Sequence, residues 1–306
     1  MVSKTSDLIE CSNQLMLIRI ICLLLLPFFM KGQLPVTNLY HFTLTKVGNN
    51  YRVKSPQFLT AFNKSGYNNQ PQFFDDKVVY FSTNYYDKSQ TEIAKFDLFE
   101  KSLTRITYTE EKEYSPTPVP GRNAFSVVRV ESDEKTQSLS LYPLDGIGYA
   151  KRYMNNTNNI GYHCWLDDST LGLFLVEAPH HNLAVADAQS ERRKIILDNV
   201  GRCLKPDKNG NLLFVHKQNP AEWFIKRYDI ETKKSKTIVG LPGEVEDFEV
   251  LNDGTFLIGK GSMLMKYNPT RDSEWVELTD LKGAGIESIK RLVVRRNSLV
   301  IVATDT

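Results

Sequence analysis

The 306-residue sequence has few cysteines and no marked excess of either charge, and both features limit its function. The four cysteines are Cys11, Cys22, Cys164 and Cys203, and none belongs to a Cys-x-x-Cys pair. The common spacings of zinc ligands are therefore absent. Lys and Arg total 38 against 36 Asp and Glu, without a basic block. This balance argues against nucleic acid as a partner.

The sequence also lacks the short motifs that identify common enzyme classes. It contains no Gly-x-Ser-x-Gly nucleophile elbow, no P-loop, no dinucleotide-binding fingerprint and no His-Glu-x-x-His. These motifs carry a nucleophile, a phosphate cradle or a zinc site, so their absence removes the sequence support for those chemistries. We therefore predict no cofactor, no resident metal ion and no catalysis.

A single apolar run, Ile20 to Met30, follows Arg19 and ends at Lys31. Eleven apolar residues are too few to span a bilayer but suit the core of a secretory signal. We predict a signal peptide over residues 1–32, with Met16 as a hypothetical true start and an uncleaved anchor as the alternative. The processed chain would be periplasmic or secreted and would carry no integral membrane span.

Export would leave Cys164 and Cys203 in an oxidising compartment. They occupy equivalent positions in successive repeats, and a disulfide needs α-carbons within about 7 Å. We expect two buried free thiols, with a bridge as the alternative.

A repeated unit of strand, acidic turn and apolar strand dominates the rest of the chain, and Trp165 to Glu177 shows it best. Asp and Ser suit the turn because their side chains bond local backbone groups. The run Leu171 to Val176 suits a strand that is buried on both faces. The equivalent turn landmarks are Asp75, Gly121, Asp168, Gly210, Gly254 and Asn297, with steps of 46, 47, 42, 44 and 43 residues. This is the period of a four-stranded propeller blade.

Five full repeats lie between residues 70 and 278, and two unmatched strands remain at each end. The N-terminal pair is 39–45 and 51–54, and the C-terminal pair is 289–294 and 299–303. We predict an all-β, six-bladed β-propeller over residues 33–306. Its last blade is shared, with the C-terminal pair inside and the N-terminal pair outside. This arrangement closes the ring and removes an open seam. We also expect a monomer.

Three repeats carry a pattern that resembles the TolB-like, WD-repeat-like propellers. The stretches are Pro71 to Phe81, Ser115 to Arg122 and Tyr162 to Asp168. The resemblance implies an exported six-bladed propeller that docks proteins or peptides.

The innermost strands of a propeller line a central channel, and the repeat frame identifies the residues that would face it. The equivalent positions are Pro71, Pro116, His163, Arg202, Phe248 and Arg291, with Tyr114, Tyr162, Asp247, Glu249 and Lys290 nearby. The charged members predict a polar ring that binds a peptide terminus or an anionic group. The alternative is that they pair with one another, because buried charges are usually paired. For His163 the alternative is a hydrogen-bonded core histidine.

These patterns predict an exported, non-catalytic scaffold that binds a protein or peptide partner in the cell envelope. The first alternative is a calcium-dependent propeller hydrolase of the lactonase type, which needs a channel metal held by acidic and amide oxygens. Asp247 and Glu249 are the oxygen ligands that the inner strands offer. A second alternative is the propeller portion of a peptidase.

Overall fold

The structure is a computed structural model that describes residues 34–144 and 150–305. Within these ranges it forms six four-stranded antiparallel sheets and two short 3₁₀ turns, Ala61–Asn63 and Lys282–Ala284. The predicted six-bladed, all-β propeller is therefore confirmed. The predicted signal peptide, residues 1–32, lies outside the described residues. In the described part of the chain, no helix has the length and apolar character needed to cross a bilayer.

The strands follow the chain in blade order, after a first hairpin that belongs to the last blade. This hairpin is β1 (Asn38–Val47) and β2 (Asn50–Phe58). Blade 1 is β3 (Asn68–Phe73), β4 (Val78–Thr83), β5 (Glu92–Asp97) and β6 (Ser102–Arg105). Blade 2 is β7 (Lys112–Pro118), β8 (Ala124–Val130), β9 (Gln137–Pro143) and β10 (Lys151–Tyr153). Blade 3 is β11 (Ile160–Trp165), β12 (Thr170–Leu175), β13 (Asn182–Asp187) and β14 (Arg193–Leu197).

The remaining blades complete the ring. Blade 4 is β15 (Val200–Pro206), β16 (Leu212–Asn219), β17 (Glu222–Tyr228) and β18 (Ser235–Gly240). Blade 5 is β19 (Phe248–Val250), β20 (Phe256–Lys260), β21 (Met263–Tyr267) and β22 (Val276–Asp280). Blade 6 is β23 (Ile286–Arg295) and β24 (Ser298–Asp305), followed outward by β1 and β2.

Blade 6 closes the ring by pairing the two ends of the described chain. β1 runs antiparallel to β24, with Asn38 opposite Ala303 and Thr43 opposite Ser298. The sheet order β23-β24-β1-β2 confirms that the C-terminal pair is the inner half and the N-terminal pair the outer half. The first hairpin is longer than the sequence predicts because its strands continue up to a two-residue turn, where Gly48 has a φ of +61°.

The apolar core is a ring of six clusters, and each cluster joins two neighbouring blades. Between blades 3 and 4, for example, Phe174 packs with Leu212 and Phe214. Each blade is therefore covered on both faces by its neighbours. This explains why second strands such as β12, with five consecutive buried residues, are apolar almost throughout.

The predicted acidic turns join the first and second strands of the blades. Asp167 Oδ1 accepts hydrogen bonds from the backbone N–H groups of Ser169 and Thr170, at 2.8 and 2.6 Å. Asp75 makes the same contacts with Lys77 and Val78. Because the strands alternate in direction, these turns all lie on one face of the ring, the turn face. The loops that lead into each innermost strand lie on the opposite face, the loop face.

Cys164 and Cys203 are both buried free thiols, as expected from the separation of inner strands in neighbouring blades. Burial raises the pKa of each thiol to about 12. Both side chains therefore pack as small apolar groups at neutral pH.

Candidate functional site: the central channel and its mouth

The innermost strands surround a cavity of about 90 Å³ on the axis of the ring, the channel cavity. That volume holds a few water molecules or one small ion, and it is far below the roughly 300–1,000 Å³ of ordinary small-molecule sites. Among the residues that line it are Gln70, Pro71, Ser115, Pro116, Tyr162, His163, Arg202, Lys205, Asp247 and Arg291.

Two arginines share one carboxylate in the channel wall. Arg202 donates from Nε and Nη2 to Asp247 Oδ2, at 3.0 and 2.8 Å, and Arg291 donates from Nη1 to Asp247 Oδ1 at 3.1 Å. Arg291 Nη2 also donates to the Tyr162 hydroxyl at 2.9 Å. Burial disfavours the charged form of Arg291, but the Asp247 carboxylate and nearby tyrosines outweigh burial and raise its pKa. Both arginines are therefore fixed cations.

Two further ion pairs surround this group. Glu246 accepts from the backbone N–H of Arg202 at 3.0 Å and pairs with Lys217 at 2.9 Å. Glu249 pairs with Lys205 at 2.8 Å. The connected network contains three cations and two carboxylates, and the Lys205–Glu249 pair beside it is neutral. Its members are Arg202, Lys217 and Arg291 against Glu246 and Asp247. The predicted Arg202, Asp247 and Arg291 thus pair with one another, and one positive charge remains in excess.

His163 is a neutral member of the channel wall. Its Nε2 lies 2.6 Å from Ser126 Oγ, and the indole N–H of Trp165 donates to the same hydroxyl at 2.9 Å. Burial lowers the pKa of His163 to about 3. The other ring nitrogen, Nδ1, is buried and has no hydrogen-bond partner in the described part of the protein.

The Ser126–His163 pair does not have the arrangement of a catalytic dyad. Ser126 is fully buried, and its hydroxyl also contacts the Thr117 carbonyl at 3.3 Å. A nucleophilic serine needs an accessible hydroxyl and a base oriented by a third group. Within the described residues no group orients His163 through Nδ1.

A second, larger cavity opens from the channel onto the loop face between blades 5 and 6. This mouth cavity has a volume of about 450 Å³ and shares Arg202, Asp247, Arg291 and Leu292 with the channel cavity. Its other lining residues include Glu244, Val245, Glu246, Lys260, Ile289 and Lys290. The mouth therefore combines apolar and charged groups in a concave surface of ligand-binding size.

The structure sorts the predicted channel residues into three groups. Five of them line the channel cavity: Tyr162, His163, Arg202, Asp247 and Arg291. Lys290 lines the mouth cavity. Tyr114 and Glu249 line neither cavity. The Tyr114 and Tyr67 rings pack edge-on, with their centroids 6.1 Å apart. Glu249 forms an ion pair with Lys205, which does line the channel cavity.

One predicted position is wrong. Phe248 was expected to face the channel, but it is 1% exposed and packs in the cluster between blades 4 and 5. Asp247 faces the cavity in its place. Successive side chains along a strand point to opposite sides. An error of one residue in aligning blade 5 with the other repeats therefore exchanges the residue that faces the channel with one that faces the core.

Sequence reasoning did not identify Gln70 and Ser115 as channel residues. They have φ angles of 54° and 55°, at register shifts in β3 and β7, and each precedes a proline. Gln70 Oε1 accepts from the Ser115 backbone N–H at 3.1 Å. The buried Ser115 hydroxyl has no partner among the described residues. Non-glycine residues in this region cost about 1–3 kcal/mol each and often mark functional sites.

No cluster of three or more His, Cys, Asp or Glu side chains suited to a metal ion occurs in residues 34–144 and 150–305. The carboxylates of Asp247 and Glu249, the predicted oxygen ligands of the lactonase alternative, are occupied by arginine and lysine side chains.

The sequence matches no family model and no curated protein. Solved structures do share its shape. A putative TolB from Agrobacterium tumefaciens has 10% identity over 87% of this chain and 97% of its own, with a TM-score of 0.64. A chain of a nidogen–laminin complex has 11% identity over 88% of this chain and 98% of its own, with a TM-score of 0.63.

An enzyme also has this shape. Oligogalacturonate lyase in complex with manganese has 14% identity over 84% of this chain and 83% of its own, with a TM-score of 0.52. At such identities the similarity establishes the fold alone. The resemblance to TolB-like propellers is therefore confirmed at the level of the fold, and membership of that family stays a prediction.

Proposed function

We propose that the protein is an exported, non-catalytic propeller that binds a protein or peptide partner at the mouth cavity. The observation that carries the proposal is the geometry of the mouth. It is concave, it lies on one face, and ion pairs hold its Arg202, Asp247 and Arg291 side chains in place before any partner arrives. Such preorganisation lowers the entropy that a partner must lose on binding. The apolar run Ile20 to Met30 supports export.

Two further observations support a binding role over an enzymatic one. Ser126 is inaccessible, and the carboxylates of Asp247 and Glu249 are neutralised by basic side chains. Among proteins of the same shape, TolB and the chain from the nidogen–laminin complex favour protein binding by analogy, whereas oligogalacturonate lyase favours the enzyme alternative.

The test is partner capture from envelope extract with two exposed lysines exchanged in turn. Lys290→Glu reverses a charge at the mouth, and Lys234→Glu reverses a matched charge at the outer edge of blade 4. We expect one protein to be enriched by the wild type and by Lys234→Glu and to be lost with Lys290→Glu.

The enzyme alternative predicts a different result. Stoichiometric calcium that survives purification, together with ester hydrolysis and no enriched partner, would replace the binding proposal with a hydrolase. Calcium content by elemental analysis and turnover of a panel of lactones provide that measurement.

A further inference from the structure

We propose that the channel cavity, behind the mouth, binds one small oxyanion between Arg291, His163 and Ser115. The ligand chemistry is a carboxylate or an oxyanion of similar size. One source is the terminal carboxylate of a peptide docked at the mouth, and this source rests on the proposed function. The other source is a free anion from solution, which does not.

The charge balance of the channel wall calls for an anion. Three cations face two carboxylates in one connected, partly buried network, and the neighbouring Lys205–Glu249 pair is neutral. The Arg291 and Asp247 side chains are only 13% and 11% exposed. A buried charge without compensation is strongly destabilising, so one bound anion would complete the network.

His163 contributes a free N–H group. The Trp165 indole can only donate, so Ser126 Oγ accepts from it and keeps its own proton to donate. The Ser126 contact with His163 Nε2, at 2.6 Å, is much shorter than its contact with the Thr117 carbonyl, at 3.3 Å. The short contact fits an O–H donor, which places the imidazole proton on Nδ1. That nitrogen has no protein partner, and the residue lines the cavity.

Two more residues that line the same cavity carry hydrogen-bond donors. The Ser115 hydroxyl is buried without a partner in the described structure. The Arg291 guanidinium has five N–H groups, and its hydrogen bonds to Asp247 and Tyr162 use two of them. Buried donors are nearly always satisfied in native proteins. A single oxyanion, with several lone pairs, accepts from all three side chains at once.

Size and access agree with this assignment. The channel cavity, at about 90 Å³, is large enough for a carboxylate group and too small for a side chain of ordinary size. It shares Arg202, Asp247, Arg291 and Leu292 with the mouth cavity, so the anion has a route from the loop face. The strained backbone at Gln70 and Ser115 forms part of the wall of this space.

The experiment measures binding of small ions and short peptides to the purified protein at constant ionic strength, maintained with a bulky sulfonate. The free ions are formate and phosphate, and the peptides are trialanine with a free or an amidated C-terminus. Titration calorimetry and thermal shift report binding. The ¹⁵N chemical shift of His163 Nδ1 reports contact with the imidazole. The variant is Ser115→Ala, and the control is Thr91→Val, which removes a buried hydroxyl outside the channel.

We expect formate to bind the wild type and Thr91→Val equally and to bind Ser115→Ala about tenfold more weakly, as expected for a lost hydrogen bond to a charged group. Formate should also shift the Nδ1 resonance. Binding of trialanine only with a free terminus would support the peptide as the source. Binding of formate without either peptide would support a free anion.

Two results would overturn the site. One is the absence of binding by formate, phosphate and the free-acid peptide. The other is formate binding that leaves the Nδ1 resonance in place and is unaffected by Ser115→Ala. Equal binding of both peptides without formate would overturn the anion site and leave docking at the mouth intact.

Discussion

The two sides of the channel wall are built from equivalent strands but carry opposite chemistry. Blades 1 and 2 contribute Gln70, Pro71, Ser115 and Pro116, which are uncharged and include two residues in a strained backbone conformation. Blades 4 to 6 contribute arginine, lysine and aspartate side chains that are held in ion pairs.

The difference shows that the repeat determines which positions face the channel but does not determine the chemistry of the side chains at those positions. Each blade brings its innermost strand to the axis, so the ring supplies equivalent positions with six independent choices of residue. On one side the cost is backbone strain, and on the other it is the burial of charge. The strained residues and the buried charged residues all line the channel cavity. Because both features lower stability, the requirements of folding alone do not account for the choice of residues at the channel.

The largest expected effect comes from breaking the charged side. Asp247→Asn leaves two buried arginines without their shared carboxylate, and we expect a loss of about 3–5 kcal/mol in the free energy of unfolding. Urea denaturation measures it. The control is Asp76→Asn, which removes a half-exposed partner of Arg295 and Arg296 and should cost less than about 1 kcal/mol. Equal losses in the two variants would show that burial does not make the Asp247 ion pairs costlier to break than exposed ones.

The next effect is acid destabilisation through His163, which lies between the two sides. The folded-state pKa is lowered to about 3, so below about pH 6.5 the unfolded chain binds a proton that the native state excludes. Stability should fall by up to about 1.4 kcal/mol for each pH unit between 6.5 and 3. His163→Asn should flatten this slope by one proton, whereas His180→Asn, at an exposed site, should leave it unchanged.

Glu113 gives the opposite pH dependence at the loop-face end of β7. It is fully buried, one carboxylate oxygen has no partner in the described structure, and Tyr142 contacts the other. Burial raises its pKa to about 7. The contribution of Glu113 to stability is therefore greatest below about pH 4.5 and is lost as pH rises through 7.

The substitution that tests this is Glu113→Gln, which removes the ionisable group and keeps its shape. We expect a gain of about 1–3 kcal/mol at pH 8 and little change at pH 4, measured by urea denaturation at both values. A gain of the same size at both pH values would show that ionisation of Glu113 is not the cause.

The smallest expected effect comes from relieving the backbone strain on the uncharged side of the channel wall. Ser115→Gly should relieve the strain of a φ angle of 55° and stabilise the fold by about 1 kcal/mol. Ser115→Ala keeps the strain and should give no such gain. Both variants lose the hydroxyl that donates to the anion, so we expect Ser115→Gly to be more stable than the wild type and to bind formate less well. Differential scanning calorimetry with and without formate measures both quantities.

The fold could be predicted from the sequence because its signals are local. Asp75, Asp167 and Asp207 fix their turns by bonding backbone groups within a few residues. The apolar second strands follow from burial between two blades. The shared blade followed from counting strands, since a ring leaves no other partner for β1 and β24.

The site could be predicted only in part because its contacts are not local. Arg202 and Arg291 were identified, but their shared use of Asp247 depends on the closed ring, which brings blades 4, 5 and 6 together. In blade 5 the alignment of the repeats is displaced by one residue at Phe248, where the innermost strand, β19, is only three residues long. The left-handed backbone at Ser115 has no signature in residue type, because serine rarely adopts it.

The β1–β24 pairing also sets the order of events when the chain is made. β1 and β2 are synthesised before the other strands of the ring, yet the partner of β1 is β24, the last of these strands along the chain. Contacts of such long sequence separation form slowly, and an unpaired strand edge is prone to aggregate in the meantime. β2 carries the exposed Arg52 and Lys54, and charges of this kind discourage edge-to-edge pairing. The open edge of β1 therefore stays without a partner until β24 has been synthesised, whereas the charged edge of β2 is still the outer edge of the blade in the finished ring.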